Sequence, residues 1–530
     1  MSIFRFVRRF TFIALAGFAL SPAAAEETSW LRSALESISA AELDSHVTTL
    51  ADDSMEGRRP GTAGGQAAGA YLMRELANRG LVAAGDEDRT TFFQEFGRGY
   101  RNVLGLWEGS DPELKSQVVV VGAHYDHVGY GSRRTSRGGI GRVHNGADDN
   151  ASGTAAVLEA VDAIVQLPVR PKRSILFALW DGEEFGLLGS KHWVSHPTVP
   201  IHNVAFAINL DMVGRLREDR LRVIGSRSTL GLRQLVSRQN AELNLHLEFP
   251  WKIRARSDHS PFYDYGIPVL MFHTGLHDDY HTPRDDAELL NPEGMQKVTQ
   301  LLFNVAWELA DRTERPAFRI ASHRETNAAR ERLEQSSAPT PSPRLGIWWD
   351  DSEEERQRDG LLLTKVVAQS AAEKAGLKAG DRIVRFDGKH VRDEEAFRTA
   401  VVVASNPVRV LVKREDNPEP VEIDVQLAGK PVRVGIAWRE DRAEPGAVFL
   451  VQVIPWSPAE RAGLKVGDRV YEIAGRTFDD SEEFQSLMNT LPGPIEFLIE
   501  RDGRLMKIEV PVEPRGGMAR VESAAVRRSY

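Results

Sequence analysis

Short unbroken apolar runs stand at Val118–Val121, Ile175–Leu179, Val204–Ile208, Leu221–Ile224 and Pro268–Phe272. Runs this short predict strands covered on both faces, the pattern of a mostly parallel sheet. Between them the period changes. Ala151–Gln166 predicts a crossover helix and Met295–Ala310 a closing amphipathic helix. Ala67–Asn78 predicts an earlier helix, with Tyr71, Leu72 and Leu76 on its apolar side and Gly80 as its stop. The expected fold class is α/β, with a mostly parallel central sheet and flanking helices.

The alternation ends near residue 319. Ala321–Pro343 is polar and closes on Ser336-Ser-Ala-Pro-Thr-Pro-Ser-Pro343, the composition of a linker with polyproline character. Beyond it lies an internal repeat. Ser370-Ala-Ala-Glu-Lys-Ala-Gly-Leu-Lys-Ala-Gly-Asp-Arg382 returns 87 residues later as Ser457-Pro-Ala-Glu-Arg-Ala-Gly-Leu-Lys-Val-Gly-Asp-Arg469, and Leu345-Gly346-Ile347 returns as Val434-Gly435-Ile436. Units of this size are small domains rather than solenoid repeats. They resemble tandem PDZ domains, β-rich modules over residues 344–429 and 431–514. That resemblance implies capture of peptide C-termini by backbone N–H groups and strand addition. A role as spacers or as inhibitory contacts is equally open, because a fold alone does not give a ligand.

The N-terminus has its own pattern. Arg5, Arg8 and Arg9 precede an uncharged stretch from Phe10 to Ala25, ending in Ser21-Pro-Ala-Ala-Ala25. Its 16 residues fall short of the ~20 that a spanning helix needs. Residues 1–25 are expected to be a cleaved export signal. The protein is then exported to a bacterial periplasm or the cell exterior, with no stable membrane span. The expected domains are a catalytic one at 26–318, a linker at 319–343, the two repeats, and a tail at 515–530.

Composition narrows the chemistry. The 530 residues are 42% hydrophobic and 27% charged, ordinary for a globular chain. A formal net charge of −9 argues against nucleic acid as a partner. There is no cysteine, so disulfides, thiol nucleophiles and thiolate metal sites are excluded. A metal here must be held by His, Asp and Glu.

Those residues collect at strand ends. Val118–Val121 runs into Gly122-Ala-His124-Tyr-Asp126-His127, Ile175–Leu179 into Trp180-Asp181-Gly182-Glu183-Glu184, and Val204–Ile208 into Asn209-Leu-Asp211-Met. Sites in open parallel sheets form beyond the carboxyl ends of strands. One acidic strand end is commonplace; three, beside a His, favour a metal site. Gly146-Ala-Asp148-Asp149-Asn150-Ala-Ser-Gly153 precedes the crossover helix, where one residue can cap while another ligates. His273, His277 and His281 stand four residues apart, but Gly275 and Pro283 make the stretch a loop, with one of the three expected to ligate. His127 and His144 are expected to be solvated loop residues, Asp148 a cap or supporting group, and Asp258 and His259 structural.

His124-x-Asp126, the Gly146–Gly153 segment, Glu183-Glu184, Asn209-Leu-Asp211-Met, Ser257-Asp-His259 and His281-Thr-Pro together resemble the co-catalytic di-zinc aminopeptidase family, over roughly residues 40–312. The resemblance implies two zinc ions. Asp149 bridges them, His124 and Asp211 complete one, and Glu184 and His281 the other. Glu183 is implied as general base, and Asp126 as the catalytic-site carboxylate that orients His124. The implied activity is a hydrolase, releasing N-terminal residues from peptides with a free N-terminus by metal-activated water. No Tyr precedes Ser257, leaving Arg254, Arg256 and Tyr280 as candidates to assist the oxyanion. A one-zinc glutaminyl cyclase and a non-catalytic PDZ-containing binding protein are the alternatives. An intact ligand set and Glu183 argue against the second.

Overall fold

The structure is a computed structural model that describes residues 22–254, 256–336 and 343–512. Of the expected signal, residues 1–21 lie outside the described residues, as do the proline-rich 337–342 and the tail 515–530. Among the described residues no helix is long and apolar enough to cross a membrane.

In chain order the first part comprises α1 (Pro22–Ser37), α2 (Ala40–Leu50), α3 (Ala63–Asn78), β1 (Val82–Ala83), β2 (Phe93–Phe96), β3 (Tyr100–Trp107), β4 (Val118–His124), α4 (Gly153–Val165), β5 (Ser174–Trp180) and α5 (Leu188–Ser195). There follow β6 (Val204–Leu210), β7 (Arg220–Ile224), α6 (Leu232–Gln239), β8 (His246–Glu248), α7 (His259–Tyr265), β9 (Val269–His273) and α8 (Pro292–Asp311). Every strand and helix expected from the apolar pattern is present, most of them extended by a few residues, while the helix expected over Ala151–Gln166 spans the shorter Gly153–Val165 and the strand expected over Pro268–Phe272 is shifted by one residue to Val269–His273.

The chain divides into two compact units, Met1–Asn203 with Asp278–Thr313, and Val204–His277 with Glu314–Tyr530. In the first, β4 and β5 run parallel, with His124 opposite Trp180. Both strands are buried along their whole length, as unbroken apolar runs require. β3 joins the other edge of β5 antiparallel, and β1 and β2 pair antiparallel with β3. Helices α2, α4 and α8 pack together, and α4 is buried over most of its length.

In the second unit β6 and β9 run parallel, β7 antiparallel to β9, and β7 parallel to β8. β7 has an alternating burial pattern over its first four residues, with Arg220 and Arg222 facing solvent and Leu221 and Val223 buried. The expected linker is only partly open chain. Ile320–Arg324 forms a short turn of helix and Asn327–Glu334 a helix. Glu325 is tied to Arg227 by two contacts of 2.5 and 2.9 Å, and to Arg319 at 2.6 Å.

The two repeats fold alike. The first orders its strands Ile347–Trp349, Leu361–Val366, Arg382–Phe386, Val408–Arg414 and Asn417–Val425; the second orders Ile436–Glu440, Val448–Val453, Arg469–Ile473, Ile495–Arg501 and Arg504–Val510. Equivalent residues repeat equivalent contacts. Trp349 packs edge-on against Phe397, and Trp438 against Phe484. The Arg344 guanidinium donates to the carbonyls of Val401, Val402 and Ala404 where helix Glu394–Val403 ends; Arg433 does the same for Met488 and Leu491. A cation at a helix C-terminus satisfies carbonyls that have no partner within the helix.

The second repeat is joined to β7 and α6 by buried charge. Arg227 pairs with Asp441 at 2.6 and 2.8 Å, and Arg233 with Glu500 at 2.8 and 3.0 Å. Asn240 donates to the Gly503 carbonyl, and the Gly231 and Leu247 N–H groups donate to Ala443 and Asp502.

Candidate metal centre

Five side chains of the first unit come together where β4 and β5 end. One ligand atom from each of His127, Asp149, Glu184 and His281 lies within 4.8 Å of all the others. His281 Nε2 is 3.0 Å from both Asp149 Oδ2 and Glu184 Oε2, and His127 Nδ1 is 2.8 Å from Glu184 Oε1. His124 Nε2 reaches the other oxygen of Asp149 at 3.3 Å. Asp149 thus presents its two oxygens to different imidazoles, the disposition of a bridging carboxylate.

Backbone groups set these side chains. His124 Nδ1–H donates to the Asp126 carbonyl at 3.2 Å and His281 Nδ1–H to the Thr135 carbonyl at 2.6 Å. Each bond occupies Nδ1 and leaves Nε2 turned towards the carboxylates, the nitrogen that would bind a metal. Asn150 caps α4 by accepting the Gly153 N–H, and Thr154 ties the start of α4 to the His124 carbonyl. The preceding Asp149 is thereby freed to face the imidazoles, and it joins Asn150 through a cis peptide bond. Asp148 turns back to Ser152, the supporting role expected of it.

Asp126 departs from expectation. Its carboxylate lies 3.7 Å from His124 Nδ1, farther than its own carbonyl. It accepts instead the N–H groups of Glu183 at 3.0 Å and Glu184 at 3.4 Å. Asp126 therefore holds the turn that carries both glutamates. Glu183 is half-buried in that turn, adjacent to Glu184.

His127 and His144 are corrections. Both are fully buried. His127 belongs to the cluster, and Gly146 makes room for it. At φ 58°, Gly146 would carry a Cβ 2.5 Å from the His127 ring carbons. His144 lies among Ser136 Oγ at 2.7 Å, the Arg142 carbonyl at 2.9 Å and the Gly138 carbonyl at 3.0 Å. It braces the loop that supplies the Thr135 carbonyl to His281.

Two contributors escape a reading of the sequence. Arg58 is fully buried and donates to the carbonyls of Leu50, Tyr125, Asn145 and Gly146. Burial pulls its pKa down to about 10 against the opposing pull of Asp149, Asp126, Asp285 and Glu184. Asp285 accepts the N–H groups of Asp148 and Asp149 at 3.1 and 3.0 Å. Burial, reinforced by Asp148, pushes its carboxyl up to about 6. The one sequence signal for Asp285 is its position, two residues after His281-Thr-Pro283.

Burial alone would raise Asp149, but His124, His281 and His127 outweigh it and hold it well below the usual carboxylate range. Burial lowers His281, yet Asp149 and Glu184 prevail and carry it up to about 10. Five converging donor groups, three imidazoles and two carboxylates, suit zinc. His127 Nδ1 and Nε2, Glu184 Oε1 and His281 Nε2 are buried without a hydrogen-bond partner, so the donor set fits a cation better than an internal hydrogen-bond network.

Asp211, in the second unit, is buried just beyond β6, its N–H on the Phe272 carbonyl. His273 Nδ1 accepts the Gly275 N–H, and His259 is buried with Nε2 at the Ile253 carbonyl, a structural role. Arg254 is exposed and paired with Asp264 at 2.8 Å, whereas the Tyr280 ring lies 3.9 Å from that of His281. Of the expected oxyanion groups, Tyr280 is the one in contact with a cluster residue.

Residues 102–306, which contain all of these groups but Arg58, match peptidase family M28. Residues 343–425 and 449–501 each match a PDZ domain family. The chain carries a peptidase family M28 domain followed by two PDZ domains. Leupeptin-inactivating enzyme 1 of Streptomyces exfoliatus is 31% identical over 226 residues, 42% of this chain and 46% of that protein. Aminopeptidase YwaD of Bacillus subtilis is 28% identical over 227 residues, 41% of this chain and 46% of that protein. The chain spans just under half the length of each of these relatives. Among solved structures, the LapA aminopeptidase of Legionella pneumophila is 22% identical, covering 57% of this chain and 81% of that chain, at a TM-score of 0.45. The M28 match begins in β3 and ends within α8, enclosing the strands that end at the cluster.

Proposed function

We propose that this protein is an exported zinc aminopeptidase that holds two zinc ions and removes N-terminal residues from peptides. The observation that carries the reading is Asp149, whose two oxygens face His124 on one side and His281 with Glu184 on the other. Asp211, buried just beyond a strand end, completes the His124 position. Zinc, when bound, polarises the scissile carbonyl and acidifies the attacking water. Glu183 takes a proton from that water and passes it to the leaving amine. Its turn is fixed by the Asp126 carboxylate through the N–H bonds described above. Glu184 faces the cluster because adjacent residues of one turn point in different directions.

The proposed domains span 26–318, 344–429 and 431–514, with a linker at 319–343; one family match falls in or over each of the three, at 102–306, 343–425 and 449–501, which supports this order of domains. The basic start and short apolar stretch of residues 1–25 support export. The PDZ pair is read as a receptor for peptide C-termini.

The test is release of free amino acids from peptides with a free or an acetylated N-terminus. Glu183→Gln should lower kcat by about 100- to 10,000-fold while zinc content stays at that of the unsubstituted protein. Pyroglutamate formation in place of amino-acid release, or undiminished hydrolysis by Glu183→Gln, overturns the reading.

A further inference from the structure

We propose that His127 supplies a further imidazole nitrogen to the metal position formed by Asp149, Glu184 and His281. The proposal rests on the two-zinc reading, and it adds a group that the family resemblance does not assign. Three observations lead to it.

First, the spacing is that of donors around one centre. Zinc bonds of ~2.0–2.1 Å at tetrahedral angles place neighbouring donor atoms about 3.3 Å apart. The His127 Nδ1 separations, 2.8 Å to Glu184 and 3.8 Å to Asp149, fall on either side of that value, and those of His281 Nε2 are both 3.0 Å. The His127 and His281 rings stand nearly perpendicular at 84°, with centroids 5.4 Å apart.

Second, the short contact is not a hydrogen bond. His127 Nδ1 and Glu184 Oε1 are 2.8 Å apart, yet both are buried and neither has a hydrogen-bond partner. A ring nitrogen donates only along its in-plane N–H direction. Two polar atoms this close and misaligned face a common third point rather than each other. His281 Nε2 has the same character, and it is an implied ligand.

Third, the fold makes a place for the ring at a cost. His127 is fully buried, and its other nitrogen has no hydrogen-bond partner either. Leaving such groups unsatisfied costs about 1–3 kcal/mol each. Gly146, in a left-handed conformation, keeps clear the space beside the ring. A histidine retained only for packing would gain from a hydrogen-bonding neighbour. This one is surrounded by ligand-type groups.

The consequence is an unequal pair of positions. The one containing Glu184 and His281 has four side chains, the His124 side three. Removing His127 should therefore weaken one ion and leave the other.

The test uses metal-free full-length protein, His127→Ala and His127→Gln, titrated with Co²⁺ and followed by visible d–d absorption and calorimetry. Wild type should take up two equivalents. The variants should keep one at wild-type affinity and hold the other about 10- to 100-fold more weakly, with an altered absorption band for that equivalent. The metal-free variants should unfold at the wild-type temperature or above it, since they shed an unsatisfied buried group. Wild-type affinity and spectrum for both equivalents in both variants overturn the proposal. A lowered unfolding temperature of the metal-free variants with unchanged Co²⁺ binding overturns it in favour of a packing role. Fewer than two equivalents in wild type itself refutes the two-metal reading, and this proposal with it.

Discussion

Glu500→Ala tests whether the second PDZ domain is part of the body that carries β6 to β9. Glu500 is fully buried in the strand Ile495–Arg501, and its carboxylate receives both arms of Arg233 from α6. The Gly503 N–H donates to the same carboxylate, and the Arg233 guanidinium also lies 4.3 Å over the Phe249 ring. Burial would raise the Glu500 pKa, but Arg233 outweighs it and holds the group ionised. At a charge separation of about 4 Å and an effective dielectric of about 20, the pair is worth about 4 kcal/mol. That agrees with the roughly 3–5 kcal/mol lost when one partner of a buried pair is removed. At roughly 2–4 °C per kcal/mol for a body of this size, the transition should fall by roughly 10 °C. Differential scanning calorimetry of the full chain measures it. Arg233→Met combined with Glu500→Leu should recover most of the loss, because no buried charge is left alone. A Tm for Glu500→Ala within about 1 °C of wild type would refute the reasoning and make this domain an appendage.

Two other perturbations read different parts of the molecule. Glu444 is buried, with Oε2 unpartnered, and burial pushes its carboxyl from 4.5 up to about 7. The folded state then holds the extra proton between those values, so its stability falls as pH rises through that window. Glu444→Gln should remove the fall, gaining up to roughly 3 kcal/mol over wild type by neutral pH; in urea titrations, a difference that does not change between pH 4.5 and 7 contradicts the assignment. Asp126→Ala removes the acceptor for the Glu183 and Glu184 N–H groups, and kcat should fall about 10- to 100-fold with a smaller change in KM. An unchanged kcat in steady-state assays would show that the turn holds its shape without Asp126.

The parts of this protein legible in its sequence are those in which a side chain's own character decides its place. Val118–Val121 and Val204–Ile208 are apolar at every position, which only burial on both faces accommodates, and both became buried strands. The repeated Ala-Gly-Leu-x-x-Gly-Asp turn likewise marked two domains. The residues that escaped detection depend on partners remote in sequence. Arg58 donates to carbonyls 87 and 88 positions away, and Asp285 accepts N–H groups 136 and 137 positions back. Carbonyl and N–H groups are the same in every residue, so no spacing of residue types announces them. His127 shows the consequence. It stands beside Asp126 in a stretch that continues through Gly129, Gly131, Gly138, Gly139 and Gly141, which reads as open loop. The loop instead folds back through the Gly129 and Gly57 main-chain groups and encloses the ring. Residue type thus identifies which groups could bind a metal, whereas backbone partners decide which of them join the cluster. His281 and His273 differ in this way: the Thr135 carbonyl holds the Nδ1 of His281, whose Nε2 joins the cluster, while the Gly275 N–H occupies the Nδ1 of His273.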